Sequence, residues 1–87
     1  MKEFSYVITD PLGIHARPAG LFVKKMGEFK SAITISHADN GASCDGKKLL
    51  ALMKLKIKHN DTIILKAEGE DEAAAIEAGR LYLSQNL

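Results

Sequence analysis

His15-Ala16-Arg17-Pro18 is the stretch of this chain whose residue types and spacing could do covalent chemistry. An imidazole nitrogen is a competent nucleophile. Arg17, two residues on, carries a permanent charge on a planar donor fork suited to phosphate oxygens. Proline has no N–H and a fixed φ, so Pro18 marks the first turn of a helix. The N–H groups of Ala16 and Arg17 then lack intrahelical partners and, with the positive end of the helix dipole, make an anion site. The chemistry implied is capture of a phosphoryl group on His15, held by the helix end and Arg17. Spacing alone also allows a solvent-exposed histidine near a helix cap, beside an arginine with no duty.

The other reactive residue types read as structural. Cys44 stands alone, cannot form an internal disulfide and fits a reducing compartment. Nothing near it supplies a catalytic partner, so an inert, half-buried thiol is expected. His37 and His59 lie beside turn residues and are expected to be solvated. Glu68, Glu70, Asp71 and Glu72 precede a helix, where the dipole favours acidic residues; that reading outweighs a cation site. No CxxC or paired-histidine spacing offers metal ligands. No cofactor cradle is present.

The elements around His15 follow from periodicity. Phe4, Tyr6 and Ile8 alternate with Ser5 and Thr9, with Val7 on the opposite face, a half-buried strand ended by Asp10-Pro11-Leu12-Gly13. From Ala16 to about Gly27, Ala19, Phe22, Val23 and Met26 recur at helical spacing with Lys24 and Lys25 outward. Ser31–Ser36 alternates as a second strand, Asn40-Gly41 signals a hairpin, and Ala42-Ser43-Cys44 makes a short third strand. A short helix runs from Lys47 to about Leu55, a fourth strand over Thr62–Ala67, and a last helix from Ala73 to about Ser84. That last helix places Ala75, Ile76, Gly79, Tyr82 and Leu83 on one face. The order is β-α-β-β-α-β-α, which suggests a two-layer α+β domain.

The short middle helix has more apolar residues than one buried stripe needs. Leu52 and Leu55 are spaced for the core, leaving Leu49, Leu50 and Met53 partly exposed. Exposed apolar clusters mark interaction surfaces, and methionine suits surfaces that meet several partners.

At 87 residues the chain reads as a single domain, 1–87, able to fold without staples. A net charge of +1 argues against a general nucleic-acid binder. No apolar run approaches the ~20 residues that span a bilayer, and no signal-peptide pattern follows Met1. A cytoplasmic location is expected.

Gly13-Ile14-His15-Ala16-Arg17-Pro18-Ala19 resembles the active-site signature of the HPr family, histidine-containing phosphocarriers of the bacterial phosphoenolpyruvate–sugar phosphotransferase system. The resemblance extends over essentially the whole chain, including its length and the Ala67–Glu72 run before the last helix. It implies an open-faced β-sandwich, a four-stranded antiparallel sheet with three helices on one face. The other face then meets solvent, which fits Ser5, Thr34 and Lys66. It implies that His15 is the phosphorylated residue, that Arg17 assists it, and that Ala16 and Arg17 bind the phosphoryl group. It places the second helix beside the histidine as a docking patch, with Gly20, Lys24, Leu49, Leu50 and Met53 as docking residues. The implied partners are enzyme I as donor and the IIA domains of sugar transporters as acceptors, met by a monomeric carrier with no cofactor of its own.

Two departures from the family stand out. Many Gram-positive relatives carry a kinase-regulated serine just before the apolar run of the second helix, where this chain has Lys47 and Lys48. Ser43 lies too far upstream to match. Lys58-His59-Asn60-Asp61 replaces what is often a shorter glycine turn. A purely regulatory HPr-like binding module is the competing function, and it could dispense with His15; retention of His15 within the full motif favours the carrier.

Overall fold

Apolar alternation sets the strands and 3.6-residue periodicity the helices, each close to its expected span. The computed structural model describes residues 1–87. It contains β1 (Lys2–Val7), α1 (Ala16–Met26), β2 (Ala32–His37), β3 (Ser43–Asp45), α2 (Leu49–Lys54), β4 (Thr62–Glu68) and α3 (Glu72–Asn86). The strands form one antiparallel sheet in the order β1-β4-β2-β3. β4 is central, pairing with β1 on one side and β2 on the other. The helices cover one face of this sheet, as the family resemblance implied.

Register shows why that face is the core. Leu65 lies between Phe4 and Ile35, and Ile63 between Tyr6 and His37, all on the helix-covered side. On the opposite side Lys66 faces Glu3 and Thr34, and Ile64 faces Ser5 and Ser36. Ile8, Phe22, Met26, Ile35, Leu52, Ile63, Leu65 and Leu83 are fully buried together. Gly79 lets α3 settle onto the sheet: a Cβ there would lie 2.5 Å from Leu65 Cδ2.

Two expectations need correction. His37 is not solvated but buried, at 7% exposure. β2 runs one residue further than expected, and the strand's two-residue period puts His37 on the same face as Ile33 and Ile35. The expected hairpin at Asn40-Gly41 joins β2 to β3, with His37 N–H donating to the Ala42 carbonyl at 2.7 Å and Gly41 in the left-handed region. Asp71 does more than complement a dipole. Its carboxylate accepts the N–H groups of Lys30 (2.8 Å) and Ser31 (2.9 Å) and the Ser31 hydroxyl, tying α3 to the entry of β2. Those bonds, the Ser31 hydroxyl foremost, hold its carboxyl down to about 2.

Candidate functional site

His15 is the residue immediately before α1, with extended backbone at φ −121° and ψ 169°. Its carbonyl accepts the first intrahelical bond, from Ala19 N–H at 3.0 Å. The N–H groups of Ala16 and Arg17 therefore find no acceptor in the chain, and Pro18 has none to offer. The Pro18 carbonyl accepts the Tyr82 hydroxyl at 2.7 Å, and the Tyr82 ring packs on Phe22 with centroids 5.8 Å apart. These contacts fix the start of α1 against α3.

The loop before His15 is built on Asp10. One carboxylate oxygen, Oδ1, accepts Leu12 N–H at 2.8 Å, an Asx turn. The other, Oδ2, lies 3.2 Å from His15 Nε2. The Asp10 carbonyl accepts Gly13 N–H at 2.9 Å. Gly13 has φ +69°, and a Cβ there would sit 2.4 Å from the Ile57 carbonyl oxygen. Ile14 N–H donates to that same oxygen at 3.0 Å, so the loop is clamped to the segment after α2. In that segment Asn60 takes the left-handed conformation (φ 73°), which asparagine tolerates and a glycine turn would otherwise supply. The Leu12 N–H and then the His15 ring hold the Asp10 carboxyl below its ordinary range.

The side chain of His15 is 36% exposed, and Arg17 is exposed with no ion pair. Ring, free N–H groups and guanidinium together can receive an anionic group from outside. Along α1, Arg17, Gly20, Leu21 and Lys24 follow at helical spacing, so they share one stripe. Leu21 is 56% exposed, and a Cβ added at Gly20 would meet nothing within 4 Å. Nothing inside the chain requires glycine at that position.

The docking residues expected on α2 divide in two. Leu50 is 77% exposed, whereas Leu49 and Met53 are half-buried against the core. Leu52 is buried as expected; Leu55 is only half-buried, because it follows the last helical turn. Lys47 is tethered, its Nζ donating to the Phe29 carbonyl at 2.7 Å, while Lys48 precedes α2 without capping it.

Sequence reading missed Asp10, Leu12 and Leu21. Asp-Pro-Leu-Gly shows an Asx turn, which could have pointed to Asp10 and to Leu12 exposed at its tip (73%). Leu21 stands one turn after Arg17, off the arc of Ala19, Phe22 and Met26, and could have been read as an outward apolar residue.

Away from this site the remaining polar groups serve the fold. His37, Asp39 and Asp61 bring potential ligand atoms within 4.8 Å of one another. Both ring nitrogens of His37 are engaged, however. Nδ1 accepts Asp39 N–H at 3.2 Å, so Nε2 carries the proton it shares with Asp61 Oδ2 at 3.0 Å. A metal on Nε2 would have to break that arrangement. His59 is exposed and Cys44 half-buried, with burial pushing its thiol up, as expected of an inert residue.

The model of the PTS-HPr family, described as the PTS HPr component phosphorylation site, matches residues 2–84. The chain is 43% identical to the phosphocarrier protein HPr of Mycoplasma genitalium over 86 residues, 99% of this chain and 97% of that protein. Its fold is similar to that of a solved mycoplasmal histidine-containing phosphocarrier protein, with a TM-score of 0.92 at 34% identity, covering 97% of this chain and 93% of the other. HPr of Thermoanaerobacter tengcongensis is similar in two solved forms. One has a TM-score of 0.91 at 33% identity, covering 98% of this chain and 93% of that one. The other is a dimer, with a TM-score of 0.76 at 33% identity, covering 98% and 95%.

Proposed function

Because the chain belongs to the HPr family of the phosphotransferase system, we propose that it is a phosphoryl carrier that accepts the group on His15. The observation that carries this is an exposed imidazole immediately before a helix whose Ala16 and Arg17 N–H groups are free, beside an unpaired Arg17. Such a carrier needs no metal or cofactor. Positioning and charge stabilisation are its whole contribution, and the partners complete each transfer. The family role makes enzyme I the donor and the IIA domains of sugar transporters the acceptors.

Both partners must reach the same histidine and leave again, which calls for a small interface with an apolar centre and a polar rim. Leu12, Leu21 and Leu50 supply exposed apolar surface, and Arg17 and Lys24 supply unpaired cations. Leu49 and Met53 support Leu50 from the core side. The carrier works as a monomer in the cytoplasm, where phosphoenolpyruvate and the donor enzyme are found. Size-exclusion chromatography with light scattering checks the monomer.

The decisive test is incubation with enzyme I and phosphoenolpyruvate, read by intact mass. One acid-labile, base-stable phosphoryl group should appear on the wild-type chain and none on His15→Ala. Label retained by His15→Ala would exclude His15 as the acceptor.

A further inference from the structure

His15 accepts a phosphoryl group only if one ring nitrogen carries a free lone pair and faces the donor. In neutral imidazole one nitrogen bears the proton and the other the lone pair, and the hydrogen bond made by one decides the role of the other. We propose that Asp10 is the positioning residue for His15, its carboxylate holding the proton on Nε2 so that Nδ1 is the nucleophile. This rests on His15 being the acceptor.

The geometry leaves little freedom. An ionised carboxylate only accepts, so the 3.2 Å contact between Asp10 Oδ2 and His15 Nε2 requires Nε2 to donate. Asp10 is kept ionised by the Leu12 N–H, which occupies its other oxygen at 2.8 Å. That bond also fixes the carboxylate within a loop clamped by Gly13 and Ile14 to Ile57. No group in the chain hydrogen-bonds His15 Nδ1.

The transfer step then balances without moving a proton. The Nδ1 lone pair forms the new N–P bond as the N–P bond of a donor phosphohistidine breaks and its electron pair returns to the donor imidazole. His15 becomes a phospho-imidazolium with its proton still on Nε2. The positive charge that develops there faces Asp10, which stabilises it, while Arg17 and the helix N–H groups face the phosphoryl oxygens.

The two oxygens of Asp10 have separate duties, and two substitutions separate them. In Asp10→Ser the hydroxyl can accept Leu12 N–H and keep the turn, but it is too short to reach His15. In Asp10→Asn the amide oxygen keeps Leu12 N–H, which turns the NH2 toward Nε2. An NH2 can only donate, so Nε2 must then accept and the proton moves to Nδ1, blocking the nucleophile.

The experiment uses ring 15N NMR of His15 at alkaline pH, where the 15N shifts themselves report which nitrogen carries the proton. No phosphoryl donor is needed for it. Wild type should show a proton on Nε2 beyond the preference of free imidazole, Asp10→Ser should relax to that preference, and Asp10→Asn should shift the proton toward Nδ1. Phosphorylation of His15 by enzyme I should fall in the same order, with Asp10→Asn at least about tenfold slower than wild type, as expected for an enforced wrong tautomer. A wild-type ring no more biased than free imidazole overturns the inference, whatever the variants do. So do tautomer ratios that ignore residue 10, or rates within twofold across the three proteins. Loss of labelling specificity for His15 would instead overturn the carrier reading, since the tautomer is measured independently of it.

Discussion

His15 and His37 each share a hydrogen bond with an aspartate through Nε2, at 3.2 Å to Asp10 and 3.0 Å to Asp61. What separates them is the other nitrogen. Nδ1 of His15 has no partner in the chain and belongs to a ring that is 36% exposed. Nδ1 of His37 accepts Asp39 N–H, and its side chain is 9% exposed. One ring is open to solvent and the other is closed into the fold. His37→Ala should therefore retain full phosphorylation while losing about 1–3 kcal/mol of stability, the cost of stranding a buried hydrogen-bond partner. His59→Ala should change neither quantity. Urea denaturation beside intact-mass labelling of the three histidine variants separates the roles. A His37→Ala protein as stable as wild type would contradict its place in the core.

The two faces of α2 decide how its apolar residues behave. Leu50 is exposed and Met53 half-buried, so the same charged substitution should have different consequences at the two positions. Leu50→Glu should weaken transfer to partners with a stability change within about 0.5 kcal/mol, as is usual for an exposed site. Met53→Glu should weaken transfer and also lower the unfolding midpoint, because its side chain leaves the core. Equal midpoints for the two variants would show that Met53 packs no more deeply than Leu50. The entry of α2 makes a second point. Lys48 precedes the helix where many relatives place a phosphorylatable serine, and a lysine offers no hydroxyl. An HPr kinase with ATP should leave the chain unmodified, as read by peptide mapping. A phosphoserine there would add about −1.5 to −2 charges beside the proposed docking surface, where this chain has Lys48 instead. Stoichiometric phosphate on Ser43, with slowed transfer, would overturn this.

Across the whole molecule the carboxylates set the acid limit. Asp71 ties the start of α3 to the entry of β2, and its carboxyl is held at about 2 against an ordinary 3.8. A depressed carboxyl contributes stability that is present above its unfolded value and lost as pH falls through the folded one. Asp10 and Asp61 are shifted the same way, each first by a backbone N–H. Stability should thus fall between about pH 4 and pH 2. Asp71→Asn should be less stable than wild type at neutral pH and show a shallower loss over that range. Thermal melts followed by circular dichroism from pH 7 to 2 measure both. Parallel curves for the two proteins would remove Asp71 from the acid response.

Local rules determined much of this protein in advance. Strand and helix periodicity, the Pro18 helix start and the His15–Arg17 pair all depend on residues within one or two turns of each other. Tertiary structure decided what depends on distant partners. The parity of β2 carried His37 inward, but only its pairing with β4 beside Asp61 made a histidine acceptable there. Asp71 looked like a dipole complement until Ser31, 40 residues away in sequence, came within its reach. Leu50 and Met53 were indistinguishable by type and spacing until α2 packed against α1 and the sheet. Asp10 lies five residues from His15, yet its orientation depends on Gly13 fitting against Ile57. Which side chain covers which is a property of assembled surfaces, and no local pattern encodes it.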